Sequence, residues 1–365
     1  MLWARRSGCF CLWYIMQKDR DLSFDAFRGV AIIAVVVIHA SGAGFSFRYS
    51  PTGRWNFIFI ASYLQLLLFA VPVLIFMAGY WSSKSPIKSL QDYKVFLARK
   101  LPRILIPYLF WSFILLGYVA VRTQDVNVRW IIFKLLTGGA CFPYYFIIVI
   151  AQLYVITPLL KYINRRPYGL ILVLILNAIY LLALYLSRVY NIIWHLPAYL
   201  PFCSWILFYE IGLLVGSSDN KIFAAKKTRP FILPAILVCL LISELEGMIL
   251  LSKYNNLSFA ISPVKYSSFL YSVCIIVGFL FIRNRLKCWP KFLVAVGNYS
   301  FGIYLIHILV LNKVVDIIQE IDVIYSFQPL YQFIVVSMTV SICFALVDVI
   351  RKLLPESFSR RFLGF

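Results

Sequence analysis

Two ionisable residues in the first apolar run have the types and the spacing for proton-transfer chemistry. Arg28 and His39 both lie in FDAFRGVAIIAVVVIHASG. Arg28 closes a polar run that also holds Asp21 and Asp25, and His39 interrupts the apolar run that follows. On a helix their spacing is three turns plus roughly 20°, so they share a face, roughly 16 Å apart along the axis. A cation at that position lies near a membrane surface, and the imidazole lies deep in the apolar layer. Burial favours the uncharged form of an imidazole. A neutral imidazole can take a proton from a hydroxyl, which is general-base work. The competing reading is a packing histidine bonded to a neighbouring helix.

Other polar groups interrupt later apolar runs: Glu210, Glu244, Glu246 and His307. Ionisable residues at such depth face a cavity or a partner, because an isolated charge in hydrocarbon is costly. Ser300, Tyr304 and His307 follow an i, i+4, i+7 pattern and share a helix face. They either line a cavity or hold helices together by hydrogen bonds. Glu244 and Glu246 either face a water-filled vestibule or mark the end of a span. The run KVFLARKLPRILIPYLFW places Lys94, Arg99, Lys100 and Arg103 ahead of Pro107 and Trp111. These cations either anchor the chain to anionic lipid, with Trp111 in the interface belt, or hold a phosphate-rich ligand. The eight cysteines show no paired metal or redox spacing, so no metal is expected. His195, in NIIWHLPAYLPF, reads as a surface residue of a loop.

The elements that must position these residues are membrane-spanning helices. Hydrophobic residues make up 62% of the 365, charged residues 13%, and the mean hydropathy is +0.86. That composition excludes a soluble globular domain and indicates an all-α integral membrane protein, a bundle of about ten transmembrane helices. The expected spans fall near 29–47, 56–81, 104–121, 143–160, 168–187, 199–216, 231–251, 266–282, 293–314 and 331–350. Residues 130–140, WIIFKLLTGGA, form a shorter apolar patch that Gly138-Gly139 should end. In a soluble chain the net charge of +21 would suggest nucleic acid. Here 26 of the 35 Lys and Arg fall in alternate connections, so the positive-inside rule accounts for them and makes both termini cytoplasmic. Residues 1–28, 82–103, 161–167, 217–230, 283–292 and 351–365 are those inner segments. The chain reads as one transmembrane domain over 1–365. Residues 1–20 are an N-terminal extension, disordered or non-native, because Met16 is a plausible start just ahead of the first span.

Taken together, these residues resemble the acyltransferase family 3 of bacterial inner-membrane acyltransferases. The resemblance runs through FDAFRGVAIIAVVVIHASG, VPVLIFMAGY, RKLPRILIPYLFW, YYFIIVIAQLYVITPLL, SWILFYEIGLLVG and VGNYSFGIYLIHILVL. It implies an acyl donor from the cytoplasm, usually acetyl-CoA, and a hydroxyl acceptor on a lipid-linked or exported glycan. The family's Arg-x10-His pattern falls on Arg28 and His39. His39 would be the catalytic base or the acyl carrier, and Arg28 would help hold the donor, with Arg99, Lys100 and Arg103 beside it. Lys100 stands where the family's Arg-x-x-Arg pattern has arginine, which keeps the charge and loses the bidentate fork. Phe76-Met77-Ala78-Gly79 lacks the serine of the family's Phe-x-x-Ser-Gly element. Tyr304, His307, Glu210 and Ser300 are candidates for a substrate cavity.

Two other functions fit the same composition. One is a transporter or flippase of a lipid-linked glycan, with His39, Glu210 and Glu244 as a proton relay. The other is a structural subunit of an envelope-polysaccharide synthase. The absence of an internal repeat between the halves weighs against the transporter. Membrane lipid surrounds the chain in every reading, and composition leaves the oligomeric state open.

Overall fold

The structure is a computed structural model that describes residues 21–44, 55–123, 127–217, 230–283, 285–286 and 288–365. The extension at 1–20 and most of the basic connection at 217–230 lie outside the described residues. Among the described residues every regular element is helical. Nine helical segments among the described residues are long and apolar enough to cross a membrane, and one shorter apolar helix joins them.

The first helix, α1 (Leu22–Gly44), carries Arg28 and His39 without a break. Its start is fixed by Asp21, whose carboxylate accepts from the Ser23 backbone N–H at 3.1 Å. Asp21 also pairs with Arg283 at 3.5 Å, which ties this end of α1 to the end of a later helix. The expected second span is two helices, α2 (Trp55–Gln65) and α3 (Ala70–Ser83), joined by a turn. The third, α4 (Leu90–Thr123), is far longer than expected: its 34 residues give roughly 50 Å against a hydrocarbon layer of about 30 Å. Its first three turns therefore project beyond the apolar layer, and these turns carry Lys94, Arg99 and Lys100. Pro102 and Pro107 lie within it.

The short apolar patch forms α5 (Val128–Thr137), capped by the Asn127 side chain and ended by Gly138 in the left-handed conformation at φ 72°. It buries none of its residues, as an interfacial helix would. The next helices are α6 (Tyr145–Ile163) and α7 (Gly169–Arg188). The expected span at 199–216 is the short helix α8 (Ile206–Ser217), entered through a 3₁₀ turn at Phe202–Ser204. The chain continues through α9 (Ile232–Tyr254), the single turn α10 (Leu257–Ala260), α11 (Tyr266–Arg283) and α12 (Lys291–Asn298). It ends with α13 (Ser300–Ile318), α14 (Asp322–Ser326), α15 (Gln328–Leu353), α16 (Glu356–Phe358) and a π turn at Ser359–Leu363.

Two helix pairs meet at backbone contact, and glycine is the reason. A Cβ on Gly297 of α12 would lie 1.8 Å from the Asp25 carbonyl oxygen of α1, and one on Gly29 would lie 2.1 Å from the Leu293 oxygen. A Cβ on Gly79 of α3 or on Gly212 of α8 would likewise come within 2.1 Å of the opposing backbone. Without a hydrophobic drive between helices in lipid, such close approach supplies the attraction. The α1–α12 contact sits beside Arg28 and so fixes its place.

Trp111 has a partner that the sequence does not reveal. Its indole donates to the Leu363 carbonyl at 3.1 Å and stacks on Phe365, so it holds the C-terminal tail against the bundle. Glu244 and Glu246 do not end their helix, which runs two turns past them. Glu246 accepts from Tyr185 and Ser267 on the neighbouring helices. Glu244 lines a crevice of about 170 Å³ between α2 and α9.

Candidate functional site

One cavity of about 370 Å³ opens at the Lys/Arg-rich end of the bundle. Five helices wall it: α1 with Arg28 and Ile32, α3 with Leu74, Met77, Ala78 and Trp81, α4 with Lys100 and Ile104, α6 with Phe146, Ile150 and Tyr154, and α13 with Ser300 and Tyr304. Its mouth is cationic and its depth is apolar. The Arg28 side chain is 27% exposed and pairs with Asp25 at 3.6 Å. Lys100 turns inward over the Tyr154 ring, 5.5 Å from its centroid. Arg103 is exposed outside the cavity, within electrostatic reach of both Lys100 and Tyr154. Arg99 is exposed and lines no part of the cavity, because it projects from α4 on a different side from Lys100 and Ile104.

Ser300, Tyr304 and His307 do share a buried face of α13. Ser300 and Tyr304 reach the cavity. The Tyr304 hydroxyl donates to the Pro143 carbonyl, and its ring meets Phe146 at 5.6 Å. This aromatic contact forms the deep end. His307 lies one turn further along α13 and is fully buried. Its ring is 5.3 Å from that of His39.

His39 is half-buried and lies two turns beyond Ile32, the last cavity residue on α1. Its ring meets Phe142 edge-on at 6.0 Å, and Phe142 is 69% exposed. Phe142 thus covers His39 on the side away from the cations. The structure places Arg28 and His39 on one helix face, as their spacing requires, and sets the Tyr304–Phe146 contact at the end of the cavity nearest His39.

Glu210 does not join this cavity. It is fully buried beside Asn164, behind α3. The reason is packing: α8 uses Gly212 to press on α3, and α3 walls the cavity with its other face. His195 is exposed on the loop after α7.

Sequence reasoning missed Tyr154, which supports Lys100 and packs on Phe96 and Tyr209. It also missed Lys161, whose ammonium donates to the Ser83 and Ser85 carbonyls at 3.2 and 2.6 Å and closes the α3 end. A tyrosine in an apolar run two turns from a basic end was the available signal. No cluster of three or more His, Cys, Asp or Glu with metal-binding geometry occurs among the described residues.

A cationic mouth, an apolar shaft and two neighbouring imidazoles beyond it are thus gathered along one axis of the bundle. No curated protein and no solved structure matches the chain. A family model described as an acyltransferase domain, that of acyltransferase family 3, matches residues 21–348, which hold every element from α1 to most of α15. The protein is a multi-pass membrane acyltransferase, and the chain belongs to acyltransferase family 3.

Proposed function

We propose that the protein is an O-acyltransferase of the bacterial inner membrane. It would move an acyl group, acetyl in the first instance, from cytoplasmic acyl-CoA to a hydroxyl of a cell-surface or lipid-linked polysaccharide. The observation that carries this reading is α1 itself. One helix face carries Arg28 into a cavity at the basic end and His39 two turns past that cavity, on the far side from the cations. Donor and acceptor on opposite sides of a bilayer require that arrangement.

The phosphates of the donor would rest on Arg28 and Lys100, with Arg103 adding to the field outside the mouth. The pantetheine arm would run along the apolar wall of α3 and α6. His39 takes the proton of the acceptor hydroxyl as its oxygen attacks the thioester carbonyl. The new carbon–oxygen bond forms, the carbon–sulfur bond breaks, and the departing sulfur takes the proton from the His39 imidazolium. Alcohol and thioester become ester and thiol, with no proton left over. A site closed by Tyr304 and Phe146 keeps water from the thioester.

Acyl transfer from radiolabelled acetyl-CoA, with membranes holding wild type or His39→Ala, tests the reading. Label should reach glycan in wild type and fall at least about a hundredfold in His39→Ala. Equal transfer by both would remove His39 from the mechanism. Glycan export that needs the protein with no acyl donor present would favour a flippase instead.

A further inference from the structure

The His39–His307 pair carries an inference about how the base is oriented. It rests on the O-acyltransferase reading above for its catalytic consequence, and its structural part can be tested without that reading. His307 is fully buried. Its Nδ1 lies 2.6 Å from the Tyr304 backbone carbonyl. A carbonyl only accepts, so Nδ1 carries the proton and the tautomer of His307 is set. Nε2 is then a lone-pair acceptor, and this atom is buried with no hydrogen-bond partner. Buried acceptors of this kind are rare, and each calls for an account.

The nearby hydroxyls are already committed. Tyr304 donates to the Pro143 carbonyl, and Tyr144 donates to the Leu305 carbonyl at 2.6 Å. Among the described residues the imidazole whose ring faces His307 is that of His39, tilted 46° at a centroid distance of 5.3 Å, and its ring N–H can donate. At that separation a small ring rotation brings edge atoms of the two rings into hydrogen-bonding range.

We propose that His307 is a positioning residue for His39: its Nε2 lone pair accepts the ring N–H of His39 and leaves the other His39 nitrogen unprotonated toward the acceptor hydroxyl. The chain of assignments starts at a backbone carbonyl. The Tyr304 oxygen fixes His307, and His307 fixes His39. A carboxylate does this in many hydrolases; here a neutral imidazole does it, and no buried anion is needed at that depth. In the transfer step His39 gains the hydroxyl proton on its free nitrogen while its other N–H stays on His307. His39 then returns the gained proton to the leaving sulfur, and both imidazoles end neutral.

Two isosteric variants separate positioning from packing. His307→Asn can keep the donor at the Nδ1 position, and with it the Tyr304 contact, but it has no acceptor toward His39. His307→Gln can place an amide oxygen at the Nε2 position. The sequence holds three histidines, so ¹⁵N-imidazole spectra of the full chain in lipid nanodiscs can be assigned with His195→Asn. A single neutral tautomer is expected for His39 in wild type and in His307→Gln, and a mixture in His307→Asn. Acyl transfer should fall about a hundredfold in kcat in His307→Asn, with the KM for acyl-CoA within about twofold, and recover about tenfold in His307→Gln. A His39 tautomer that ignores both variants overturns the proposal, as does full transfer by His307→Asn. If the tautomers respond as expected while wild type transfers no acyl group, the pairing stands and the O-acyltransferase reading fails.

Discussion

Neighbouring cations on one helix turn have different surroundings here, and the donor should sense the difference. Lys100 leans into the cavity over Tyr154, Arg103 stands outside the mouth, and Arg99 points away. A charge-assisted contact to phosphate at a half-buried site contributes about 1.5–3 kcal/mol, and an exposed cation contributes little. Lys100→Ala should therefore raise the KM for acyl-CoA about tenfold or more, and Arg99→Ala should leave it within about twofold. Initial rates of acyl transfer at varied acyl-CoA measure both. A larger effect for Arg99→Ala would move the donor head to the other side of α4.

At the scale of the elements, one contact fixes Arg28 and another ties helices together away from the cavity. Gly297 lets α12 lie on the backbone of α1 beside Arg28, and no side chain fits there. Gly297→Ala forces the two helices apart. Overpacking of this kind costs about 1–3 kcal/mol, and here the atom met is backbone, which cannot rotate away. A lower melting temperature in detergent, with donor binding weakened, is the expected result. The second contact is Lys265, in the connection between α10 and α11. It is fully buried, and its ammonium donates to the Gln65 side-chain oxygen at 2.9 Å and to the Ser243 carbonyl at 3.0 Å. Burial drives this amine from its ordinary 10.5 down to about 8, against the pull of the Glu246 and Glu244 carboxylates. Between those two values the unfolded chain holds a proton that the folded chain has released, so stability rises with pH there. The effect saturates near 3 kcal/mol, as an upper bound of about 1.4 kcal/mol per unit. The melting temperature of wild type should thus gain on that of Lys265→Met as pH is raised from 7 to about 9.5. Parallel curves would show that the amine stays charged.

For the whole molecule the decisive feature is the aromatic contact between the two halves of the site. Tyr304 and Phe146 meet at 5.6 Å at the deep end of the cavity, and the imidazole pair lies past them. On the proposed reading the thioester and the base would come together only when this contact opens. Phe146→Ala removes one side of the barrier. Hydrolysis of acyl-CoA without acceptor should then rise several-fold, read as free thiol released by membranes, while transfer to glycan persists. Unchanged hydrolysis would mean that another layer excludes water.

The sequence by itself determined much of this molecule. Apolar runs of about 20 residues leave the backbone no choice but helix in a bilayer, so spans could be read directly. The alternation of Lys and Arg ordered the ends, and the eleven-residue step from Arg28 to His39 fixed their common face because helix geometry is local. The division of the second span into α2 and α3 and the shortness of α8 were hidden, since hydropathy averages over a window and does not register a turn. The depth of Glu210, the inward turn of Lys100 against the outward turn of Arg99, and the anchoring of the tail by Trp111 were decided by tertiary structure alone. Each depends on which face of a helix meets which neighbour, and in lipid that choice rests on small residues such as Gly79, Gly212 and Gly297. His307 shows the division most plainly: its phase with Tyr304 and Ser300 was legible along α13, but only the packing of α13 near α1 put its unpaired nitrogen beside His39.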